Sequence, residues 1–185
     1  MERLDFLIDY LLKENKEIKL KNLPETSEEK VNLWRALCNI RNAKEISSEY
    51  LKIQDEYLKE RLQGINITDV ADIKTIKEVY SKSNLEENTN KVCLWQGDIT
   101  KLKIDVIVNA ANSQGLGCFQ PLHNCIDNQI QTFAGVQMRI ECDKYMKTID
   151  YNLPTGKGFI TKGYNLPTKY VIHTVRANYK FWGIT

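Results

Sequence analysis

The sequence predicts an α/β protein with a helical N-terminal portion. Three observations predict it: apolar residues at helical spacing up to about residue 62, short β-rich runs beyond residue 90, and one further helical pattern between those runs. At 185 residues the chain can form one domain with a decent core, or a small α/β domain with a helical appendage, but not two large independent domains.

Leu4, Leu7, Ile8, Leu11 and Leu12 repeat at helical spacing and predict a helix over about residues 2–14, with Asn22, Leu23 and Pro24 closing the segment. Thr26 and Glu29 have the spacing of a capping box, ahead of a stripe of Val31, Trp34, Leu37 and Cys38, so a second helix is expected over 27–39. A third, over 47–62, follows from Tyr50, Ile53, Tyr57 and Leu58 and ends near Gly64. The simplest role for all these apolar residues is core or docking surface. Residues 81–90 are polar and acidic and suit a linker. The expected division is therefore a helical extension over 1–80, a linker over 81–90 and an α/β part over 91–185. In that part 92–95, 104–108, 159–161 and 170–175 read as strands, the second almost wholly apolar as for a strand buried on both faces. A helix is expected over 126–145, through Ile126, Ile130, Phe133, Ala134, Met138 and Cys142.

Composition narrows the functional class. Charged residues make up 27% of the chain and the net charge is only +2, which gives no broad basic face for a nucleic acid and suits a nucleotide-sized ligand better. The first ten residues carry Glu2, Asp5 and Asp9, unlike a signal peptide, and no segment reaches the length of a membrane span, so a cytoplasmic protein without a membrane partner is expected. Five cysteines (Cys38, Cys93, Cys118, Cys125 and Cys142), odd in number and unevenly spaced, favour metal-binding or core thiols over a disulfide framework.

Two polar clusters follow predicted strands: Gln96-Gly97-Asp98-Ile99-Thr100 and Asn109-Ala110-Ala111-Asn112-Ser113. Ligands of open α/β sheets bind at the carboxyl ends of strands, although each cluster taken alone is also a plain turn or loop whose side chains bond their own backbone. Cys118, His123 and Cys125 put two thiols and an imidazole within one short segment. Such a set suits zinc and leaves one tetrahedral corner for water or substrate. The alternatives are a closed structural site with Cys142 as fourth ligand, or two buried cysteines near a surface histidine. Asp127 stands at the expected start of the next helix, where it either caps free N–H groups or acts as a base or orienting group for a water.

Together, Gly97-Asp98-Ile99-Thr100, Ile104 to Ser113, Ile126-Asp127-Asn128 with Ala134-Gly135, and Tyr170 to Val175 resemble the successive signatures of the macrodomain family. The segment Gly117 to Cys125 resembles the zinc-containing microbial branch, as does the N-terminal portion with Leu33-Trp34-Arg35-Ala36-Leu37 and Gln54-Asp55. The resemblance implies a mixed sheet with flanking helices and hydrolysis of mono-ADP-ribose from protein side chains. It implies that Asp98 and the Ile99 N–H meet the adenine, that Asn112 holds the distal ribose, and that Asp127 lies near that ribose and its attacking water. Cys118, His123 and Cys125 would hold zinc facing the same ribose. Some members are linked to sirtuin-type transferases and lipoyl-carrier proteins. The family's core continues beyond the His173 strand with a second glycine-rich loop, which the tail Arg176 to Thr185 does not supply. A truncated product with an incomplete sheet is therefore expected, and an ADP-ribose-binding module or inactive remnant is the alternative to the enzyme. Gln131 stands where many relatives have histidine, a change that keeps a hydrogen bond but removes a group titrating near neutral pH.

Overall fold

The computed structural model describes residues 2–20, 22, 24–80 and 87–175. Most of the expected linker, the tail from Arg176 onward, and Leu23 lie outside the described residues.

Three helices come first: α1 (Glu2–Glu14), α2 (Ser27–Ile40) and α3 (Ser48–Gln63). The capping box forms as expected, with the Glu29 N–H donating to Thr26 Oγ1 and the Thr26 N–H to Glu29 Oε2. Ser47 caps α3 by accepting from the Tyr50 N–H. Leu7, Trp34 and Tyr50 are fully buried between these helices, and the Trp34 indole N–H donates to the Tyr50 hydroxyl at 3.3 Å. A bidentate pair, Arg41 with Glu14, ties the end of α1 to the end of α2 at 2.7 and 3.1 Å.

The chain then contributes a two-residue strand β1 (Thr68–Asp69) and a one-turn helix α4 (Ile76–Val79). The expected strand at 92–95 does not form. Cys93 makes only an isolated bridge to Thr75, and Val92 and Leu94 are exposed. The sheet proper is built from β2 (Leu102–Ala111), β3 (Gly158–Lys162) and β4 (Thr168–Val175), in the order β1-β2-β4-β3. β2 pairs in parallel with β1 and β4, and β3 closes the order antiparallel to β4. β2 is longer than its apolar run suggests and takes in Asn109 to Ala111, so Asn109 is a strand residue and not the loop residue that local chemistry suggested.

The helix expected over 126–145 is two helices, α5 (Ile126–Ala134) and α6 (Val136–Met146). Gly135 separates them with φ of 103°, a backbone region that side chains with a Cβ rarely enter. The first free N–H of α6, that of Val136, donates instead to Gln54 Oε1 from α3. Neighbouring Asp55 accepts from Gln137 Nε2 and Asn165 Nδ2, at 2.9 and 2.6 Å. The Gln54-Asp55 pair is thus a polar bracket between α3, the start of α6 and the β3–β4 turn.

α5 and α6 cover one face of the sheet, burying Ile107, Phe159 and Val171. A single hydrophobic cluster runs from Leu7, Trp34 and Leu58 through Ile130 and Met138 to Ile107 and Val171, so the N-terminal helices share their core with the sheet. The opposite face leaves Val108 55%, Ile160 56%, Tyr170 46% and Ile172 37% exposed. Register places Val108 beside Ile172 and Ile172 beside Ile160, so these residues form one patch. Among the described residues no helix is long and apolar enough to cross a membrane.

Candidate functional site

The carboxyl end of β2 leads into a tight loop. Asn112 Oδ1 accepts from the Gly115 N–H at 3.0 Å, and Asn112 Nδ2 donates to the Gly117 carbonyl at 3.1 Å. The side chain therefore shapes the loop that delivers Cys118. Gly117 has φ of 83°, and a Cβ there would stand 2.6 Å from Gln131 Cγ, so the loop lies directly on α5. Gln131 makes a polar contact from its Nε2 to Cys142 Sγ at 3.6 Å.

α5 opens on a sulfur. Cys125 Sγ accepts from the Asn128 N–H at 3.4 Å, taking the capping place that a hydroxyl or carboxylate more often fills. One ligand atom each of Cys118, His123 and Cys125 lies within 4.8 Å of the other two, and Cys118 Sγ stands 3.7 Å from His123 Nδ1. Tetrahedral zinc, with bonds of about 2.0–2.3 Å, holds its ligand atoms roughly 3.5–3.8 Å apart, so this donor set fits the ion in kind and the Cys118–His123 separation fits it in spacing. Among the described residues no fourth histidine, cysteine or carboxylate joins the group. Cys142 stands elsewhere, buried and in contact with Gln131 and His173, with its thiol pushed up to about 12 by burial. Cys142 is therefore not a member of the group.

Asp127 occupies the first turn of α5, where the positive end of the helix dipole favours a carboxylate. It is buried, and burial raises its carboxyl above the usual range against the opposing pull of an Asn109 hydrogen bond and the Arg139 charge. Asn109 Nδ2 donates to Asp127 Oδ1 at 2.7 Å and also contacts His173 Nδ1 at 3.1 Å. With both Asn109 hydrogens used in this way, His173 accepts at Nδ1 and carries its proton on Nε2, which lies 2.9 Å from Thr161 Oγ1. Burial pulls His173 down to about 4, so the ring is neutral at pH 7. A polar chain Asp127–Asn109–His173–Thr161 thus crosses from α5 through β2 and β4 to β3. The carboxamide oxygens of Asn109, Asn128 and Gln131 are buried and accept from no described group.

Asn109 and His173 were not singled out as site residues by sequence reasoning. The available signal was a polar side chain within an otherwise apolar buried strand, since a buried polar group needs a buried partner. Arg139, one residue past the apolar stripe position Met138, was missed for the same reason.

Asp98 and Ile99 do not join this cluster. They precede β2, at the end opposite Asn112, in a 3-10 turn (Ile99–Lys101) that lies against α5. Asp98 is exposed, and its Oδ1 accepts from the Thr100 N–H and hydroxyl at 3.0 and 2.7 Å. Partial burial pushes its carboxyl up, but these bonds and Lys101 outweigh that and hold it below the usual range. The Arg61 guanidinium of α3 lies 3.6 Å above the Phe133 ring at the carboxyl end of α5, where burial lowers its pKa and the charge of Asp98 opposes that shift.

Residues 108–184 match the family model described as Macro domain. Similar curated proteins include one named Protein-ADP-ribose hydrolase from Treponema medium, 47% identical over 174 residues, which cover 94% of this chain and 64% of that protein. Another of the same name, from Staphylococcus aureus (strain MRSA252), is 44% identical over 173 residues, covering 94% of this chain and 60% of its own length. The chain therefore spans less than two thirds of these relatives. Among solved structures, a Trypanosoma brucei macrodomain in complex with ADP-ribose superposes with a TM-score of 0.52 at 23% identity, covering 83% of this chain and 61% of that one. The superposition on the Trypanosoma brucei structure shows that this chain, with its sheet in the order β1-β2-β4-β3 and α5 and α6 on one face, has the macrodomain fold.

Proposed function

We propose that this chain carries the ADP-ribose site of a zinc-dependent protein mono-ADP-ribosyl hydrolase. The observation that carries this reading is that a buried carboxylate, Asp127, and the Cys118–His123–Cys125 donor set arise from one segment at the start of α5. The names of the curated relatives support the reaction class, and the ADP-ribose complex of the Trypanosoma brucei macrodomain supports the ligand class.

In this reading Asp98 and the Ile99 N–H receive the adenine beside the carboxyl end of α5, and Asn112 meets the distal ribose near its amino end. The 9 residues of α5 separate the two ends by about 13 Å, which suits an extended nucleotide sugar. When bound, zinc would supply Lewis-acid polarisation of a ribose oxygen or of water. Asp127 orients the attacking water and takes its proton, and Asn109 holds the carboxylate in place through its N–H. Hydroxyl adds to the anomeric carbon as the bond to the protein side chain breaks, the departing side chain leaves with the electron pair, and the proton taken by Asp127 passes to it. Asp127 is only 5% exposed, which limits bulk water at the carboxylate.

The test uses a mono-ADP-ribosylated lipoyl-carrier protein as substrate, with release of ADP-ribose followed by mass spectrometry and ADP-ribose affinity by calorimetry. Asp127→Asn or chelation is expected to lower turnover by about 100-fold or more while leaving affinity within about threefold. Equal loss of both contradicts a catalytic role. Binding without any release by the unmodified chain makes it a recognition module, and absence of binding removes the ADP-ribose reading altogether.

A further inference from the structure

The loop that carries the three donor residues is fastened to the N-terminal helices through two side chains that touch no ligand atom. Arg139 of α6 is buried, and its guanidinium is spent wholly on backbone carbonyls and one ring. Nη1 donates to Cys38 O at 3.0 Å and Asn39 O at 2.8 Å, and also to Arg41 O, at the carboxyl end of α2. Nε donates to Leu116 O at 2.8 Å and Nη2 to Cys118 O at 3.4 Å, on the donor loop. The same guanidinium lies 4.2 Å over the Phe119 ring. A planar fork with five N–H groups suits this double duty: one side caps free carbonyls at a helix end, the other holds the backbone of the first sulfur donor.

Asn39, the second clamp, is 1% exposed. Its Nδ2 donates to Thr132 Oγ1 at 2.9 Å, which aims Oδ1 at the Leu122 N–H, 3.0 Å away. Leu122 immediately precedes His123 and has φ of 56°, a conformation that needs outside support in a branched residue. Within α5 itself, Asn128 completes the pattern, donating from its N–H to Cys125 Sγ and from Nδ2 to Gln120 O. The backbone of Cys118, the residue before His123 and the sulfur of Cys125 are thus each held by a bond from outside the donor set, and two of these ties run to α2.

We infer that α2, through Arg139 and Asn39, preorganises the Cys118–His123–Cys125 loop and thereby sets its affinity for a divalent metal. The inference rests on the metal reading above and extends it, because it makes the helical extension part of the metal site's supporting shell. Such outer partners typically change metal affinity by about 10- to 100-fold when removed.

The test is zinc affinity of the full chain, measured by competition with a chromophoric chelator under reducing conditions, with folding of each variant followed by circular dichroism. Arg139→Met and Asn39→Ala are expected to weaken zinc binding by about tenfold or more. Trp34→Phe, which removes the indole hydrogen bond to Tyr50 in the same helical unit but leaves both clamps intact, is expected to bind zinc as the unmodified chain does. If Arg139→Met does not fold, Arg139→Lys keeps the charge without the fork and carries the same comparison. Unchanged affinity in the folded clamp variants, or an equal loss in Trp34→Phe, overturns the inference while leaving the metal site standing. A wild-type chain that takes up no zinc overturns the metal reading and the inference with it.

Discussion

Asn109 on β2 and Asp127 on α5 share a hydrogen bond of 2.7 Å, although 18 residues separate them, and the carboxylate that receives it is almost fully buried. Replacing Asn109 by Ala leaves that carboxylate without its donor. The expected cost is about 2–3 kcal/mol of stability. The Asn109→Ala/Asp127→Ala pair should cost less than the sum of the two single changes, because the second removes the group that the first leaves unpaired. Urea denaturation of the four proteins measures this, and strict additivity would show that the bond contributes nothing.

His173 makes stability depend on pH. Its folded pKa, about 4, lies below the value of roughly 6.5 for an unfolded chain. The unfolded state therefore binds the proton more readily. The stabilising contribution is fully present above about pH 6.5 and is lost as pH falls toward about 4, amounting to ~3 kcal/mol. Of the groups facing the ring, Cys142 stays a thiol throughout, Thr161 does not titrate, and Asp127 reaches it only through Asn109. Unfolding free energies at pH 7 and pH 4.5 should therefore differ more for the unmodified protein than for His173→Gln. Equal slopes for the two would count against this account.

Zinc should stabilise the native chain against heat, since the three donors come together only when the loop is folded. At free zinc 100 times the dissociation constant the gain is about 2.7 kcal/mol. Cys118→Ser or His123→Ala should remove most of this rise in melting temperature. A rise that survives both changes would place the ion elsewhere.

Gly135 should tolerate Ala poorly. Its φ of 103° is costly for a residue with a Cβ, and the added carbon would stand 2.5 Å from both Gln54 Nε2 and Gln137 Oε1. About 1–3 kcal/mol of strain is expected from the backbone alone, with disruption of the Gln54 bracket in addition. Gly156, with φ of 78° and nothing within 4 Å of an added Cβ, isolates the backbone contribution. Melting of the two Ala variants compares them, and Gly135→Ala should be the less stable.

Much of this architecture was legible in the order of residues. The three N-terminal helices follow from periodicity and from caps such as Thr26 with Glu29, because those signals act within one turn. The donor set was legible because its members lie within one loop. What escaped were relationships made by tertiary contact. The break at Gly135 is concealed by an apolar stripe that continues across it. The segment at 92–95 has strand-like residues but finds only one bridge partner, at Thr75. The pairing of Asn109 with Asp127 and His173, and the reach of Arg139 from α6 to α2, join residues that no local pattern connects. The resemblance groups Asp98 with Asn112 in one extended site, and only the structure shows that β2 spans the distance between them.

Among the described residues nothing covers the side of the sheet where Val108, Ile160, Tyr170 and Ile172 lie side by side, and an unusual dye response is expected of the native molecule. ANS fluorescence commonly signals loosened packing. In this protein it should rise while near-UV dichroism still reports a rigid interior, and Ile172→Lys should quench it without lowering helicity. Sulfate salts, which strengthen the burial of apolar surface, should draw copies of the chain together at concentrations that leave the fold intact, so solubility becomes a property of one pleated face.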